Sequence, residues 1–457
     1  MRRPAAILVG LVVGFFAARL VIVLTGTVFT SFDTFSYAYR DDPAFDRGAL
    51  VSFTGHAPRL WGVPLFYALF PGDLSRAVGQ WAVGTVAWAL LAWALWTCLR
   101  HPIARTVAAA GVLLLGLLPQ VTNWDFAILS ESLSISLGVA TLALALLWGR
   151  TGSPWLVAGT VVAGVWWTFT RPDARVYTLL MVAALAVVAW RRPRLRRGAL
   201  VGAAALAVAV GWGTAIAPAV DETYARYSAT PQVRHEEGLM VFRLRLHVFP
   251  DPEVKALFER EFGMPSCPAM EQIAAGSSWQ TAKFAEAYAG CPAMKAWGER
   301  NAGDVWRRYA LTAPGTFARQ TEGVLTLSLA GADYAKTTPI VPAPARTLVF
   351  PPRDWVLPVL GVALLLAAGA LIVSRALRRR AGLVFAGAAL TAASAASLAA
   401  GIWYGAGEYW RFGIQEAIGL RLAVLVMLVT ALDAALTRQE RQPLADQGLA
   451  QELGRLP

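Results

Sequence analysis

Long apolar segments, joined by short loops in which arginine recurs at every second connection, constrain this chain more than any other feature. A run of about 18 or more apolar residues can cross the hydrocarbon layer as a helix, and a helix in lipid satisfies its own backbone hydrogen bonds. Ten stretches near or above that length stand out: 5–29, 79–98, 103–119, 127–148, 154–169, 175–190, 198–216, 355–374, 382–403 and 413–436. With ten crossings, Arg2 and Arg3, Arg100 and Arg105, Arg150, the run from Arg191 to Arg197, the run from Arg375 to Arg380, and Arg438 all fall on one side. The positive-inside rule makes that side cytoplasmic. The expectation is a multi-pass protein of the plasma (inner) membrane with both termini in the cytoplasm.

Composition agrees with this patterning. The chain has 457 residues, of which 56% are hydrophobic and only 15% charged, where a soluble chain would carry roughly 25% charge. Its net charge of +12 would suit nucleic acid or anionic lipid, but the arginines sit in loops between apolar segments. Topology therefore explains the charge, and no nucleic-acid partner is expected. Met1-Arg-Arg before an apolar run resembles a signal peptide, yet the run is too long and lacks a small-residue cleavage site, so it reads as a retained first helix.

The fold class read from these features is an all-α polytopic membrane protein. It has about ten transmembrane helices, interfacial helices in the first outer loop, and a small, mainly helical extracytoplasmic domain. The expected organisation is a transmembrane module over 1–216 (spans one to seven, outer loop 30–78), an extracytoplasmic domain over 217–354, three further spans over 355–436, and a cytoplasmic tail over 437–457. Residues 57–72 are apolar, aromatic and interrupted by proline, which predicts an interfacial helix along the outer leaflet. In the outer domain, 253–262, 280–289 and 300–323 read as helices. The tetrapeptide Cys-Pro-Ala-Met occurs at 267–270 and again at 291–294. Outside the cytoplasm, a Cys267–Cys291 disulfide is the favoured reading.

Four loops on the non-cytoplasmic side carry charge close to span ends, where charge is costly and calls for a reason. The first, Ser31 to Asp42, holds Asp33, Asp41 and Asp42 among aromatics that include Tyr37. The second runs from Asn123 to Ser136 and places Glu131 between Ser130 and Ser132 at the start of a span. The third, Thr168 to Arg175, holds Arg171, Asp173 and Arg175. The fourth holds Glu408 and Arg411, with Glu416 and Arg421 continuing into the last span. Carboxylates there suit a general base or a divalent cation such as Mg, Mn or Ca. Arginines suit a phosphate held by forked donors. Asp41 and Asp42 also fit a turn, Glu131 a helix cap, Arg171 and Arg175 lipid anchors, and Glu408–Arg411 a plain ion pair. His56, His101, His235 and His247 show no ligand spacing and read as structural.

With its acidic first outer loop (31–42), interfacial segment (57–72), Ser130-Glu131-Ser132, Arg171-Pro172-Asp173 and large late outer loop, the chain resembles the GT-C superfamily of membrane glycosyltransferases. Broadly similar members are protein O-mannosyltransferases and bacterial arabinosyl- and aminoarabinose transferases. The loop lacks the adjacent Asp-Glu pair of the mannosyltransferase branch. The resemblance implies a polyprenyl-phosphate-linked sugar as donor and a lipid, cell-envelope glycan or protein as acceptor. It implies Asp33 as general base, with Asp41 or Asp42 as second choice. Glu131 would orient the base, the acceptor or a metal; Arg171, Arg175 and Arg411 would hold the donor phosphate; Tyr37, Asp173 and Glu408 would support them. One displacement would invert the anomeric carbon. The competing expectation is a transporter or flippase of a lipid-linked glycan, which needs polar groups along a route through the bilayer. Arg421 is the single charge read towards the middle of a span.

Overall fold

A computed structural model describes residues 2–31, 33–38, 59–227, 240–274, 281–331, 337–373, 381–404 and 409–439. Among these the secondary structure is helical, with one parallel bridge between Phe29 and Ala127. Apolar side chains surround most of the long helices, which suits burial in lipid on one flank and against neighbours on the other.

The first half of the chain gives α1 (Arg2–Thr25), α2 (Thr34–Ala38), α3 (Gly62–Ala68), α4 (Asp73–Cys98), α5 (Pro102–Leu115), α6 (Pro119–Phe126), α7 (Glu131–Thr151), α8 (Pro154–Thr168), α9 (Ala174–Arg191) and α10 (Arg196–Tyr227). Eight helices of the described chain are long and apolar enough to cross a membrane, and α5 with α6, bent by 46° between them, form a broken span or a re-entrant pair. The tenth expected segment, α8, is helical but only 15 residues long. That is about 22 Å at 1.5 Å per residue, short of a hydrocarbon layer of about 30 Å.

Contacts sort the helix ends into two levels. At one level Asp433, in the last helix, accepts from the backbone N–H groups of Arg100 and His101 at 2.8 and 2.7 Å. Trp148 packs beside Gly198 at that same end, so Arg100, Arg150 and the arginines after 191 gather there as the loop pattern requires. The run 375–380 lies outside the described residues. The charged loops at 33, 131, 171 and 411 meet at the other level.

The segment around α3 packs one face on the bundle: Val63, Phe66 and Tyr67 are buried while Leu69 is exposed, and Tyr67 donates to the carbonyl of Leu129 at 2.6 Å and shares a 2.9 Å bond with Gln80. One expectation is corrected here: charge inside spans is not confined to Arg421. Arg19 lies within α1 and pairs with Asp125 at 2.8 Å, both side chains buried; Arg19 also donates to Thr85. Glu416 accepts from Ser397. Arg421 donates to three carbonyls, those of Val349, Leu329 and Ala417, so it works as a brace.

The outer region splits differently from the 217–354 boundary. Residues from Met240 to Phe317 share their own apolar core around Phe258, Tyr288, Trp297 and Tyr309. From Val324 onward the apolar residues, including Leu329, Val341 and Phe350, join the core of the membrane bundle instead. Helices cover Pro252–Phe262, Thr281–Ala289, Val305–Thr312 and Pro314–Ala330; the 300–323 segment is parted at Ala313, at the break that Pro314-Gly315 predicts, because Pro314 has no N–H to donate. Cys267 and Cys291 are thiols in this structure and lie within reach of one another. Each sits before a proline that opens a helix, Pro268–Ala274 and Pro292–Asn301, which gives the repeated Cys-Pro a local role at helix starts. Burial first, and then the neighbouring Cys291 thiol, pushes the Cys267 thiol up.

Because the Arg19–Asp125 pair is buried, removing one partner strands a charge. Asp125→Asn or Arg19→Leu is expected to destabilise the protein by about 3–5 kcal/mol, read as a lowered melting temperature in detergent. The double variant Arg19→Leu/Asp125→Leu should recover part of that loss; a double variant no better than the singles would contradict the pairing.

Candidate functional site

Short-range features bring the four charged loops together. Beyond α1 the chain runs as a two-residue strand: Phe29 N–H donates to Phe126 O at 2.8 Å and Ile128 N–H to Phe29 O at 3.0 Å. Thr34 Oγ1 then donates to Ile128 O at 3.0 Å. Gly26 is needed for this approach, since a Cβ there would lie 2.3 Å from the Phe126 ring. The zipper sets Asp33 beside Ser130 and Glu131. A second close approach fixes the third loop. Gly62 N–H donates to Phe169 O at 3.0 Å, and Trp166 Nε1 donates to Gly62 O at 2.8 Å. A side chain at Gly62 would meet that carbonyl at 2.6 Å.

The result is an alternating chain of charges. Arg59 donates to Asp33 Oδ1 at 2.8 Å, and Arg411 to Asp33 Oδ2 at 2.6 Å. Arg411 Nε also donates to Glu131 Oε1 at 2.6 Å, and Arg171 donates to the same oxygen at 2.7 Å. Arg171 Nε reaches Asp173 at 2.9 Å. Tyr37 donates to Ser130 Oγ at 3.2 Å, and its ring lies 4.6 Å from the Arg59 guanidinium. Three arginines thus face three carboxylates in a region largely screened from water, where an unmatched charge would be costly. The middle of the chain is dry: the side chains of Glu131 and Arg411 are 0 and 2% exposed, whereas Asp33 and Arg59 keep 20 and 23%. Burial alone would raise the Asp33 carboxyl, but Arg59 and Arg411 outweigh it and hold it below its ordinary value. Burial opposes the charge on Arg171, yet Asp173 and Glu131 prevail and hold it protonated.

Asp33, Tyr37, Glu131, Arg171, Asp173 and Arg411 therefore form one site. Arg175 turns to α10, donating to Gly213 O at 3.0 Å, because as the second residue of α9 it faces that neighbour rather than the loops. Asp41, Asp42 and Glu408 lie outside the described residues. Arg59 was not singled out from sequence. Its signal was the proline before it and its distance from the arginine-rich loops, which left a cation on the acidic side. Among the described residues no three His, Cys, Asp or Glu side chains gather to hold a metal ion. The carboxylates present are matched by arginines, a donor set that does not fit a divalent cation.

Among the described residues, the outer domain reaches this site at a short helix. The short helix Tyr409–Phe412 carries Arg411, and its Tyr409 hydroxyl is 2.6 Å from His247 Nε2. Gln320 donates to His247 O at 2.7 Å, and Trp306 lies edge-on to the imidazole. Burial, with Arg243 adding to it, lowers His247 to about 4. No protein-family model matches this chain, and no curated protein matches it significantly.

An unfolded histidine titrates near 6.5, so between there and about 4 the unfolded chain binds a proton that the folded chain refuses. Stability should then fall as pH drops through that window. Melting curves from pH 7 to 4 test this: His247→Asn should flatten the slope, and an unchanged slope would exclude His247 as its source.

Proposed function

We propose that the protein is an integral membrane glycosyltransferase that moves a sugar from a polyprenyl-phosphate donor to an acceptor hydroxyl, on the face away from the arginine-rich loops. The observation that supports it is the Asp33–Arg411–Glu131–Arg171 chain, two carboxylates and two arginines held at the ends of membrane helices. The arginines are forked donors of the kind that bind phosphate bidentately.

The same contacts give the reaction an order. In the resting site Asp33 is saturated by Arg59 and Arg411, which makes it a poor proton acceptor. A phosphate that takes donors from those arginines releases an Asp33 oxygen and raises its proton affinity, so donor arrival activates the base. Asp33 accepts the proton of the acceptor hydroxyl as that oxygen attacks the anomeric carbon. The bond to the phosphate oxygen breaks, and the two buried arginines stabilise the charge left on phosphate. A single displacement inverts the configuration. Glu131, dry and shared, holds both arginines in place, acting as a positioning residue. The distribution of arginine in the loops supports the extracytoplasmic side for this site. The acceptor class, whether lipid, envelope glycan or protein, is part of the reading only as a hydroxyl.

The transporter reading gains from charge inside the spans, but Arg19, Asp125, Glu416 and Asp433 each bond within the bundle and form no continuous route among the described residues.

Reconstituted protein supplied with polyprenyl-phosphate sugars should release polyprenyl phosphate. Asp33→Asn should lower turnover by at least about 10²-fold while the protein stays folded in the membrane, and Arg411→Lys should raise KM for donor as well. Wild-type turnover in Asp33→Asn would remove Asp33 from the chemistry.

A further inference from the structure

At the opposite end of the bundle lies a cavity that the proposed reaction does not use. Its volume is about 420 Å³, and it runs between α7, α9 and the two helices Ala381–Tyr404 and Ile414–Gln439. It is lined along α7 from Ser134 to Arg150, a length of about 24 Å at 1.5 Å per residue. Small and apolar residues, among them Ala145, Ala184, Ala386 and Ala389, line it, and few of its walls are polar. An apolar void within lipid forfeits dispersion contacts on every wall, and a hydrocarbon chain restores them.

The two ends of the cavity differ. Near the charged site it is closed by a hydrogen-bonded knot: Trp167 Nε1 and Thr170 Oγ1 both donate to Ser134 Oγ at 3.1 Å, and Ser134 bonds to Gln415. At the far end it is lined by Arg100, Arg150 and Arg192, three exposed residues from two loops and the last turn of α7. None of the three side chains is paired with a carboxylate among the described residues, unlike the arginines of the charged site. A trough long enough for an acyl chain thus ends in three arginines at the level of the lipid headgroups.

We propose that this cavity is a binding site for an anionic glycerophospholipid of the arginine-rich leaflet. Its phosphate is held by Arg100, Arg150 and Arg192, and one acyl chain lies along α7 up to the Ser134–Gln415 knot. The lipid fills the space between α7 and the two late helices and stabilises the face that carries Glu131 and Gln415. Basic pockets between membrane helices select anionic headgroups by the same forked donors that bind free phosphate.

Native mass spectrometry of the full-length protein in detergent, with phosphatidylglycerol and phosphatidylcholine of identical chains, tests it. Wild type should retain phosphatidylglycerol at least tenfold better. The variant Arg100→Gln/Arg150→Gln/Arg192→Gln should retain both lipids equally. Ala389→Phe, which fills the trough, should lose both adducts while its helical circular dichroism is kept. Equal retention of the two lipids by wild type would overturn the proposal, as would a preference surviving in the triple variant. An adduct lost instead in Arg171→Gln/Arg411→Gln would assign the cavity to the donor chain of the charged site and overturn it too.

Discussion

One oxygen carries much of the arrangement: Glu131 Oε1 accepts from both Arg171 and Arg411, with the side chain sealed from water. A lone carboxylate in that position would cost several kcal/mol of lost hydration, and so would either arginine alone. Each cation therefore needs the anion, and the surplus positive charge is taken up by Asp33 at one end and Asp173 at the other. The chain of alternating charges is stable only as a whole. That makes it specific about which loops may approach one another, and it leaves its two ends, the half-exposed ones, able to exchange partners.

The backbone delivers these loops with little slack. The strand-like contact of Phe29 with Phe126 and Ile128 fixes where Asp33 emerges, and the close approach at Gly62 fixes the turn holding Arg171. Buried polar groups behind them, Gln80 against the carbonyls of Asp125 and Ala127 and Arg19 against Asp125, anchor the same segment from within the bundle. Interiors of this kind reward full satisfaction of polar groups and penalise partial loss steeply. A site so braced can keep arginines and carboxylates within bonding distance while a substrate exchanges one set of partners for another.

The two ends of the bundle treat charge in opposite ways. At the acidic end every arginine of the site has a carboxylate, and the outer domain reaches in through His247 and Tyr409 to steady the helix bearing Arg411. At the other end arginines line an apolar trough, without carboxylate partners among the described residues. The first arrangement favours exchange of a phosphate against internal carboxylates, and the second favours a resident anionic lipid.

Much of this was written in local pattern. Apolar run length and the placement of arginine identified membrane helices and sorted their ends, because both reflect transfer energies that each segment pays on its own. The same geography singled out Asp33, Glu131, Arg171 and Arg411 as residues at one surface. Pairing was decided only by the tertiary structure. Arg59 joins the site, Arg175 leaves it for Gly213, and Arg19 finds Asp125 across 106 positions of sequence. The physical reason is that a charge's cost in lipid depends on its own position, whereas its compensation depends on a neighbour supplied by the packing of other helices.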